Sequence, residues 1–503
     1  MDNAPLQPDP MTAATLPHPQ RRAYNMLVWA VWVCMFGIIC WISWRLSYRI
    51  FGVSVLQIAG VVLAVMAMAW LKHCPLMYPG RRAWIIGLLA FSLAVHAAFV
   101  LHLPTYRPAA DFRAYHEAGV LMSQTWTQGQ ASASGEGYRC LFPPGQIFAL
   151  GVIYRIFGPN VLAAELYNAV LASLTVVGIY LIARRLWGER PGRVAGVLAA
   201  ILPSSFFGCI VLGAEVPETF WLVLATWIYL KWVDSGFAWK DAIACGLCLG
   251  VGALIRPTYL LLPVPIGLHM LLSWPRKGKA LLCAIAMALG LAAVVAPWTW
   301  RNYKVTGGLI VISSNGGGNL WSGNNDDTRQ GLYTDKTWQW LYQNARTDLE
   351  LQQKGTAKAR EWIASHPRRF AELSVEKFQV LWRTDNDMAW WAMQQPFDEA
   401  QTNPAYAKPT FDPQSSYWAA YVCTFFYLAL VAAALIGAVR HAGSLWRRRG
   451  WIALAVLFFY FTTIHMVFET QAKYHYMLVP LLCVFAALVA RRKDEPMPEE
   501  RGA

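Results

Sequence analysis

Apolar runs of about 20 residues recur along the whole of this 503-residue chain. A helix needs about that length to cross the hydrocarbon core of a bilayer. No water is available there for backbone polar groups, so a spanning segment must be a helix or a strand of a closed barrel. Barrel strands leave short stretches of alternating polarity, a pattern that does not emerge here. The chain is therefore expected to be an all-α polytopic membrane protein. Composition agrees: 56% of residues are hydrophobic and 14% charged, against about a quarter charged in a soluble chain.

Spans are expected near 25–46, 53–72, 84–103, 160–187, 194–213, 216–232, 241–257, 258–273, 280–300, 417–439, 451–468 and 474–490, about twelve in all. A further apolar stretch, 142–157, is only about 16 residues long and opens with Pro143-Pro144-Gly145. It reads as a re-entrant or interfacial helix.

The basic residues test that reading. Lys and Arg total 43 against 29 Asp and Glu, a formal net charge of +14. With the amino terminus inside, the turns after the even-numbered spans hold most of the clusters. These are Lys72 with Arg81-Arg82, Arg184-Arg185, Lys231 with Lys240, Arg276-Lys277, Arg447-Arg448-Arg449, and Arg491-Arg492-Lys493. All of them lie inside, as the positive-inside rule requires, only if 142–157 does not cross. Arg45 and Arg49, in a short outer turn, are the exception. No nucleic-acid-binding motif accompanies the charge, so nucleic acid is not an expected partner. The 25 Trp residues suit membrane interfaces.

The first run, Met26 to Trp44, is too long for a signal-peptide core and lacks a small-x-small cleavage site. It reads as a retained anchor. The ten Cys lie mostly inside apolar runs, which argues against a disulfide framework. Cys245 and Cys248 read as small helix residues one turn apart rather than a redox or metal pair.

This topology divides the chain into a cytoplasmic tail (1–24), three N-terminal spans (25–103) and a first outer loop with juxtamembrane helices (104–159). A transmembrane core (160–300), an outer domain (301–416), C-terminal spans (417–490) and a second cytoplasmic tail (491–503) follow. The outer domain is expected to be mixed but mainly helical. Its Asn/Gly-rich start, 313–327, reads as ordered turns. The stretch 341–382 reads as two amphipathic helices broken at His366-Pro367.

Several charged groups sit at the outer ends of spans. Asp111 follows the third span and can serve as a general base on a hydroxyl; taken alone it is equally a loop acid. Glu215 and Glu218 lie between two apolar runs with almost no loop, where an ionisable group is a functional candidate or a plain interfacial acid. Arg256-Pro257 ends the seventh span. It offers paired donors to a phosphate, or an internal salt bridge. Arg301 follows Trp298-Thr299-Trp300, an aromatic belt with a snorkelling Arg in its simplest reading. Lys473 and His475 sit at the mouth of the last hairpin, beside Glu469. The stretch Asn315 to Asn325 lacks the Lys of a phosphate-binding P-loop, but its Asn amides and Trp321 would suit a sugar. Asn324 to Asp327 does not match a calcium loop. Together these groups set acids and cations at one membrane surface, as group transfer from a lipid phosphate would need.

The order and spacing of these pieces resemble the GT-C glycosyltransferase superfamily. The nearest branch is the bacterial one related to protein O-mannosyltransferases and the lipid A aminoarabinose transferase. The resemblance covers about 103–492. Ala110-Asp111-Phe112-Arg113-Ala114-Tyr115 resembles the family's first outer loop. Phe142-Pro143-Pro144-Gly145 resembles the step opening its juxtamembrane helix. Glu215 resembles the acid of the second outer turn, and Arg256-Pro257 the Arg-Pro after a Gly-rich span. Pro297-Trp298, Arg301-Asn302-Tyr303, Asn319-Leu320-Trp321 and Gly323-Asn324-Asn325 resemble the opening of the large outer domain. His366-Pro367 and Lys377 resemble its helical part. Lys473-Tyr474-His475 resembles an Arg-Tyr-His element, with Lys keeping the charge but losing bidentate geometry. The first two spans are extra to the usual pattern.

The resemblance implies a GT-C fold in the inner membrane with an active site facing the periplasm. It implies a polyprenyl-phosphate-linked sugar as donor, and a lipid, glycan or protein hydroxyl as acceptor. Asp111 and Glu215 would take the catalytic roles, and Arg256, Arg301 and Lys473 would hold the donor phosphate. Tyr115, Asn319, Trp321, Asn324 and His475 would contact sugar or acceptor, with membrane lipids around the whole. Some members use a divalent metal and others do not; no cofactor and no metal ligand is assigned. Three rivals are an O-antigen ligase or polymerase, a transporter and a non-catalytic scaffold. A transporter would carry broken helices and ionisable groups near the bilayer midplane, and here the ionisable groups cluster at span ends.

Overall fold

The computed structural model describes residues 18–51, 54–70, 73, 80–103, 108, 110–127, 139–234, 239–274, 276–394, 413–446 and 450–492. Lys72, Cys74, Tyr106, Arg107, Arg447 to Arg449, Lys493 and most of both tails lie outside them. Among the described residues the chain is helical, without a strand.

In order, the helices are α1 (His18–Phe51), α2 (Ser54–Trp70), α3 (Arg81–His102), α4 (Ala110–Thr125), α5 (Pro144–Phe157) and α6 (Val161–Trp187). Next come α7 (Glu189–Ala200), α8 (Pro203–Ile210), α9 (Glu215–Asp234), α10 (Trp239–Ile255), α11 (Pro263–Ser273) and α12 (Lys277–Thr306). The hydrophilic domain supplies α13 (Asn315–Ser322), α14 (Asp335–Asn344), α15 (Asp348–Ser365) and α16 (Pro367–Trp382). Finally come α17 (Pro413–Arg440), α18 (Gly450–Val467) and α19 (Val479–Ala486), the last preceded by a 3-10 turn, Ala472–Leu478.

Each expected span coincides with a helix or a helix pair. Seven are long and apolar enough to cross a membrane on those grounds alone, or eight when α7 and α8 count as one. Of the rest, α2, α10 and α11 are shorter, and α9 carries Glu215 and Glu218 in its first turn and Lys231 in its last. α5 has 14 residues, about 21 Å of helix, short of the roughly 30 Å hydrocarbon core. It lies against α4, whose Tyr115, Ala118 and Met122 pack with Ile147, Leu150 and Tyr154.

Contacts gather the basic helix ends at one end of the bundle. Asn25 at the start of α1 donates to the Trp446 carbonyl (2.9 Å) after α17. Arg185, closing α6, donates to the Lys231 carbonyl of α9. Arg193 on α7 lies over the Trp84 ring near the start of α3. Arg491, closing the last span, meets His441. The last span is the axis of the bundle: every residue from His475 to Ala490 is buried. A helix apolar all round belongs in such an interior.

α7 and α8 are bent by 47° at a break before Pro203. Pro203 opens α8 without an N–H to donate. Polar side chains from α3 and α6 pack on α8. Asn168 of α6 donates to the Cys209 and Val211 carbonyls (3.2 and 3.1 Å). His96 of α3 sits between Ser205 Oγ (3.0 Å) and the Ser92 carbonyl (2.8 Å). The chain leaves α8 at Val211 and starts α9 at Glu215, which delivers Glu215 and Glu218 to the bundle end opposite the basic clusters.

The Asn/Gly-rich stretch departs from the sequence expectation. Residues 315–322 form a helix, α13, not a set of turns. Its glycines serve packing: a Cβ on Gly317 would stand 2.2 Å from the Gln352 carbonyl, and one on Gly355 would stand 2.6 Å from Gly317. α13 and α15 thus meet backbone to backbone, an approach only glycine allows. The stretch 341–382 is also divided differently. Leu341 belongs to α14, and the two later helices begin at Asp348 and Pro367. The break at His366-Pro367 falls where expected, because Pro367 is tolerated at a first helical position. Asp348 ties the first loop to this domain, accepting from the Arg139 and Cys140 amides (2.7 and 3.1 Å) and from Ser314 Oγ (2.7 Å). Cys140 is buried there beside Asn302 Oδ1 (3.2 Å).

Candidate active site

Asp111 stands in the first turn of α4 and is 57% exposed. Phe112 and Tyr115 turn inward on the same helix, so α4 holds the carboxylate outward. Its Oδ2 is 3.8 Å from Lys473 Nζ. Lys473 is only 4% exposed, because it begins the buried last span. Its ammonium lies 4.8 Å from the Trp391 ring centre, 5.2 Å from Phe112 and 5.7 Å from Tyr474. Aromatic faces attract a cation electrostatically, so this cage holds a charge that water does not reach. The Lys473 amide donates to Asp387 Oδ2 (2.8 Å). Burial raises the Asp387 carboxyl above its usual range, and that amide opposes the shift.

Beneath Tyr474 lies a second charge cluster. Glu215 and Glu218 share a helix face one turn apart. Both ion-pair with Arg256, Oε1 of Glu215 at 3.0 Å from Nη2 and Oε2 of Glu218 at 2.7 Å from Nε. The Arg256 guanidinium lies 5.0 Å from the Tyr474 ring centre. Tyr474 thus faces both cations, and its hydroxyl donates to Glu469 Oε1 (2.9 Å). Burial raises the Glu469 carboxyl, opposed by that hydrogen bond. Glu215 Oε2, Glu218 Oε1 and Glu469 Oε2 are buried without a hydrogen-bond partner. The cluster therefore has acceptor capacity to spare.

Tyr115 is buried with its ring against Phe142 (5.3 Å). Its hydroxyl pKa is raised by burial, with Arg256 pulling the other way and Asp111, Glu215 and Glu218 adding to the rise. Tyr333 of the hydrophilic domain is half exposed and raised by burial first, with Asp335 and, more weakly, Asp111 contributing. That domain thus reaches the mouth where Asp111 stands.

Other expected site residues are engaged elsewhere. Arg301 donates to the Arg139 carbonyl (3.0 Å), Cys140 Sγ and Asn302 Oδ1, with its guanidinium over Trp298. Asn324 donates to the Leu320 and Val467 carbonyls and accepts from Lys377. The Asn319 carbonyl accepts from the Glu469 amide (3.2 Å). Trp321 packs edge-on against Trp340. His475 is buried, its Nδ1–H donating to the Leu381 carbonyl, with Nε2 3.5 Å from Asp385 and the ring stacked on Trp382. Among the described residues no group of three His, Cys, Asp or Glu side chains is arranged to hold a metal ion.

Glu218, a candidate in the sequence without an assigned role, joins the site, and Tyr474, Trp391 and Asp387 complete it beyond the sequence expectation. Glu218 had a signal in its i, i+3 spacing from Glu215. Trp391 had none, since it meets Phe112 only through the fold.

Residues 142–300 match the family model for dolichyl-phosphate-mannose-protein mannosyltransferase. That segment contains Glu215, Glu218 and Arg256 and stops short of Asp111 and Lys473. A relative from Pseudomonas aeruginosa (strain UCBPP-PA14), undecaprenyl phosphate-alpha-4-amino-4-deoxy-L-arabinose arabinosyl transferase, is 32% identical over 231 residues. This alignment covers 43% of this chain and 40% of the relative. A second, the arabinosyl transferase 2 of Pseudomonas fluorescens (strain Pf0-1), is 30% identical over 167 residues, 31% of this chain and 29% of the relative. The chain thus matches well under half the length of these relatives. The archaeal oligosaccharyltransferase AglB from Archaeoglobus fulgidus, solved with an inhibitory peptide and a dolichol-phosphate, superposes with a TM-score of 0.50 at 12% identity. That superposition covers 81% of this chain and 50% of AglB and concerns the fold. The chain is a multi-pass membrane protein with a GT-C fold. Over parts of its length it is similar to the O-mannosyltransferase family model and to the aminoarabinose transferases.

Proposed function

We propose that the protein is an inverting glycosyltransferase. It moves a sugar from a polyprenyl-phosphate donor to an acceptor hydroxyl of a lipid, glycan or protein. The reaction takes place on the periplasmic face of the inner membrane. One observation carries the reading: an exposed carboxylate, Asp111, stands 3.8 Å from a caged, buried ammonium, Lys473.

Asp111 accepts the proton of the acceptor hydroxyl. The freed oxygen attacks the anomeric carbon from the face opposite the phosphate. The bond from that carbon to the phosphate oxygen breaks, and its electron pair leaves with the polyprenyl phosphate. Lys473 is the cation for that departing charge. In the resting site it pairs loosely with Asp111, and an arriving phosphate would take over the ammonium and leave the carboxylate free to act as base. Glu215 and Glu218 fix Arg256, which backs the Tyr474 ring, and so support Lys473 from below. Arg256 retains a long-range role toward the phosphate. Arg301, at the root of the first loop, is a candidate for the outer part of the donor. Tyr115 would line the floor of the acceptor side. Trp321 and Asn319 would face the sugar from α13, while Asn324 and His475 would hold the walls.

Asp111→Asn tests the assignment. A general base contributes about 10²–10⁴-fold, so transfer of labelled sugar by the purified variant should fall by that order while donor binding persists. Full turnover in this variant would sink the mechanism.

A further inference from the structure

One buried lysine is absent from the chemistry above. Lys377 of α16 is fully buried, and its Nζ donates to Asn324 Oδ1 (2.8 Å) and to the Val467 carbonyl (3.1 Å). Burial lowers its pKa to about 7, with Glu469 opposing the shift. A buried ammonium held by two neutral oxygens is costly unless it secures something. What it secures is the turn between α18 and the last span.

Five contacts from the hydrophilic domain converge on that turn. Asn324 Nδ2 donates to the same Val467 carbonyl (2.8 Å). The Asn319 carbonyl accepts from the Glu469 amide (3.2 Å), and the Gly331 carbonyl from the Thr470 amide (2.9 Å). Ser374 of α16 donates to the Met466 carbonyl (3.1 Å). Gly323 lies so close that a Cβ would stand 2.5 Å from the Glu469 nitrogen. Gly331, at φ +74°, lies on the aliphatic stem of Lys377, where a Cβ would stand 2.3 Å from Cγ. The turn so gripped carries Glu469 and, three residues after Thr470, Lys473.

We propose that Lys377 is a positioning residue: through Asn324 and the Val467 carbonyl it fastens the hydrophilic domain to the Val467–Lys473 turn and sets where Lys473 stands relative to Asp111. The proposal rests on the transferase reading for its kinetic consequence, but the fastening itself does not. It also gives the Gly323-Asn324-Asn325 motif a structural task.

The test has two arms. In hydrogen exchange on the purified full chain, Lys377→Met should speed exchange of the Glu469 and Thr470 amides by about tenfold or more, with other helices unchanged. Lys377→Arg, which keeps a cation, should restore part of the protection. If Lys377→Met does not fold, Asn324→Asp keeps an oxygen for Lys377, loses both amide donors, and should show the same local loss. In the transfer assay, a displaced Lys473 should lower kcat by as much as about 100-fold, with little change in acceptor KM and partial rescue in Lys377→Arg. Unchanged exchange at Glu469 and Thr470 overturns the fastening, whatever the turnover. Faster exchange with kcat intact overturns the positioning role. A wild-type protein that transfers nothing from a polyprenyl-phosphate sugar overturns the functional reading and leaves the exchange result to stand alone.

Discussion

The two charge clusters at the Asp111 end of the bundle are built on opposite plans. Arg256, itself 16% exposed, holds two glutamates that are 0% and 4% exposed, at 2.7 and 3.0 Å. Lys473 meets one carboxylate at 3.8 Å, and that carboxylate is 57% exposed. A guanidinium paired with two buried carboxylates resists a newcomer, because displacing it leaves those charges unpaired in a low-dielectric site. A caged ammonium with a loosely held partner can exchange that partner for a phosphate. The tight cluster therefore belongs to the scaffold, and the loose one to the chemistry.

The largest effect should come from breaking the tight cluster. Arg256→Met strands Glu215 and Glu218, and removing one partner of a buried pair costs about 3–5 kcal/mol. Thermal unfolding in detergent should show that loss; a stability equal to wild type would place Arg256 in the loose class instead.

Lys473→Met should do the reverse. Transfer should fall by about 10²–10³-fold, the order expected when one donor to a developing charge is lost. Stability should shift by about 1 kcal/mol or less, as for a pair with an exposed partner. Titration with a polyprenyl phosphate should show weakened binding. A variant that binds and transfers normally would remove Lys473 from the site.

The third effect is a pH dependence of stability. The Lys377 pKa is lowered from its ordinary 10.5 to about 7 in the fold. Between those values the unfolded chain binds the extra proton, so this group's contribution to stability rises with pH. Below about pH 7 both states are protonated and the contribution is flat. Wild type should therefore gain stability relative to Lys377→Met as pH rises from 7 to about 10. An identical pH profile in the two proteins would mean that the lysine is not desolvated.

The helices were legible because long apolar runs are what can cross a bilayer, and seven of the described ones, or eight with α7 and α8 joined, meet that test by length and composition. The short apolar run 142–157 becomes a 14-residue helix, α5. Residues 315–322 of the Asn/Gly-rich stretch were misread, while 323–327 do turn: glycine signals a turn and a close helix contact alike, and only the partner, Gly355 on α15, distinguishes them. Within the site, Asp111 and Lys473 stand out as charges at span ends. Their pairing does not, since 362 residues separate them. The cage around Lys473 was beyond reach for the same reason: Phe112, Trp391 and Tyr474 come from three distant parts of the chain.

Cys140 carries a consequence of its own. Its thiol is buried where the first loop, α12 and α15 join, and burial pushes its pKa up to about 11, with Asp348 adding to the rise and Arg301 opposing it. Only a thiolate reacts readily, so in the closed protein this sulfur is chemically silent. A thiol-directed label on Cys140 would therefore report any separation of the first loop from the hydrophilic domain.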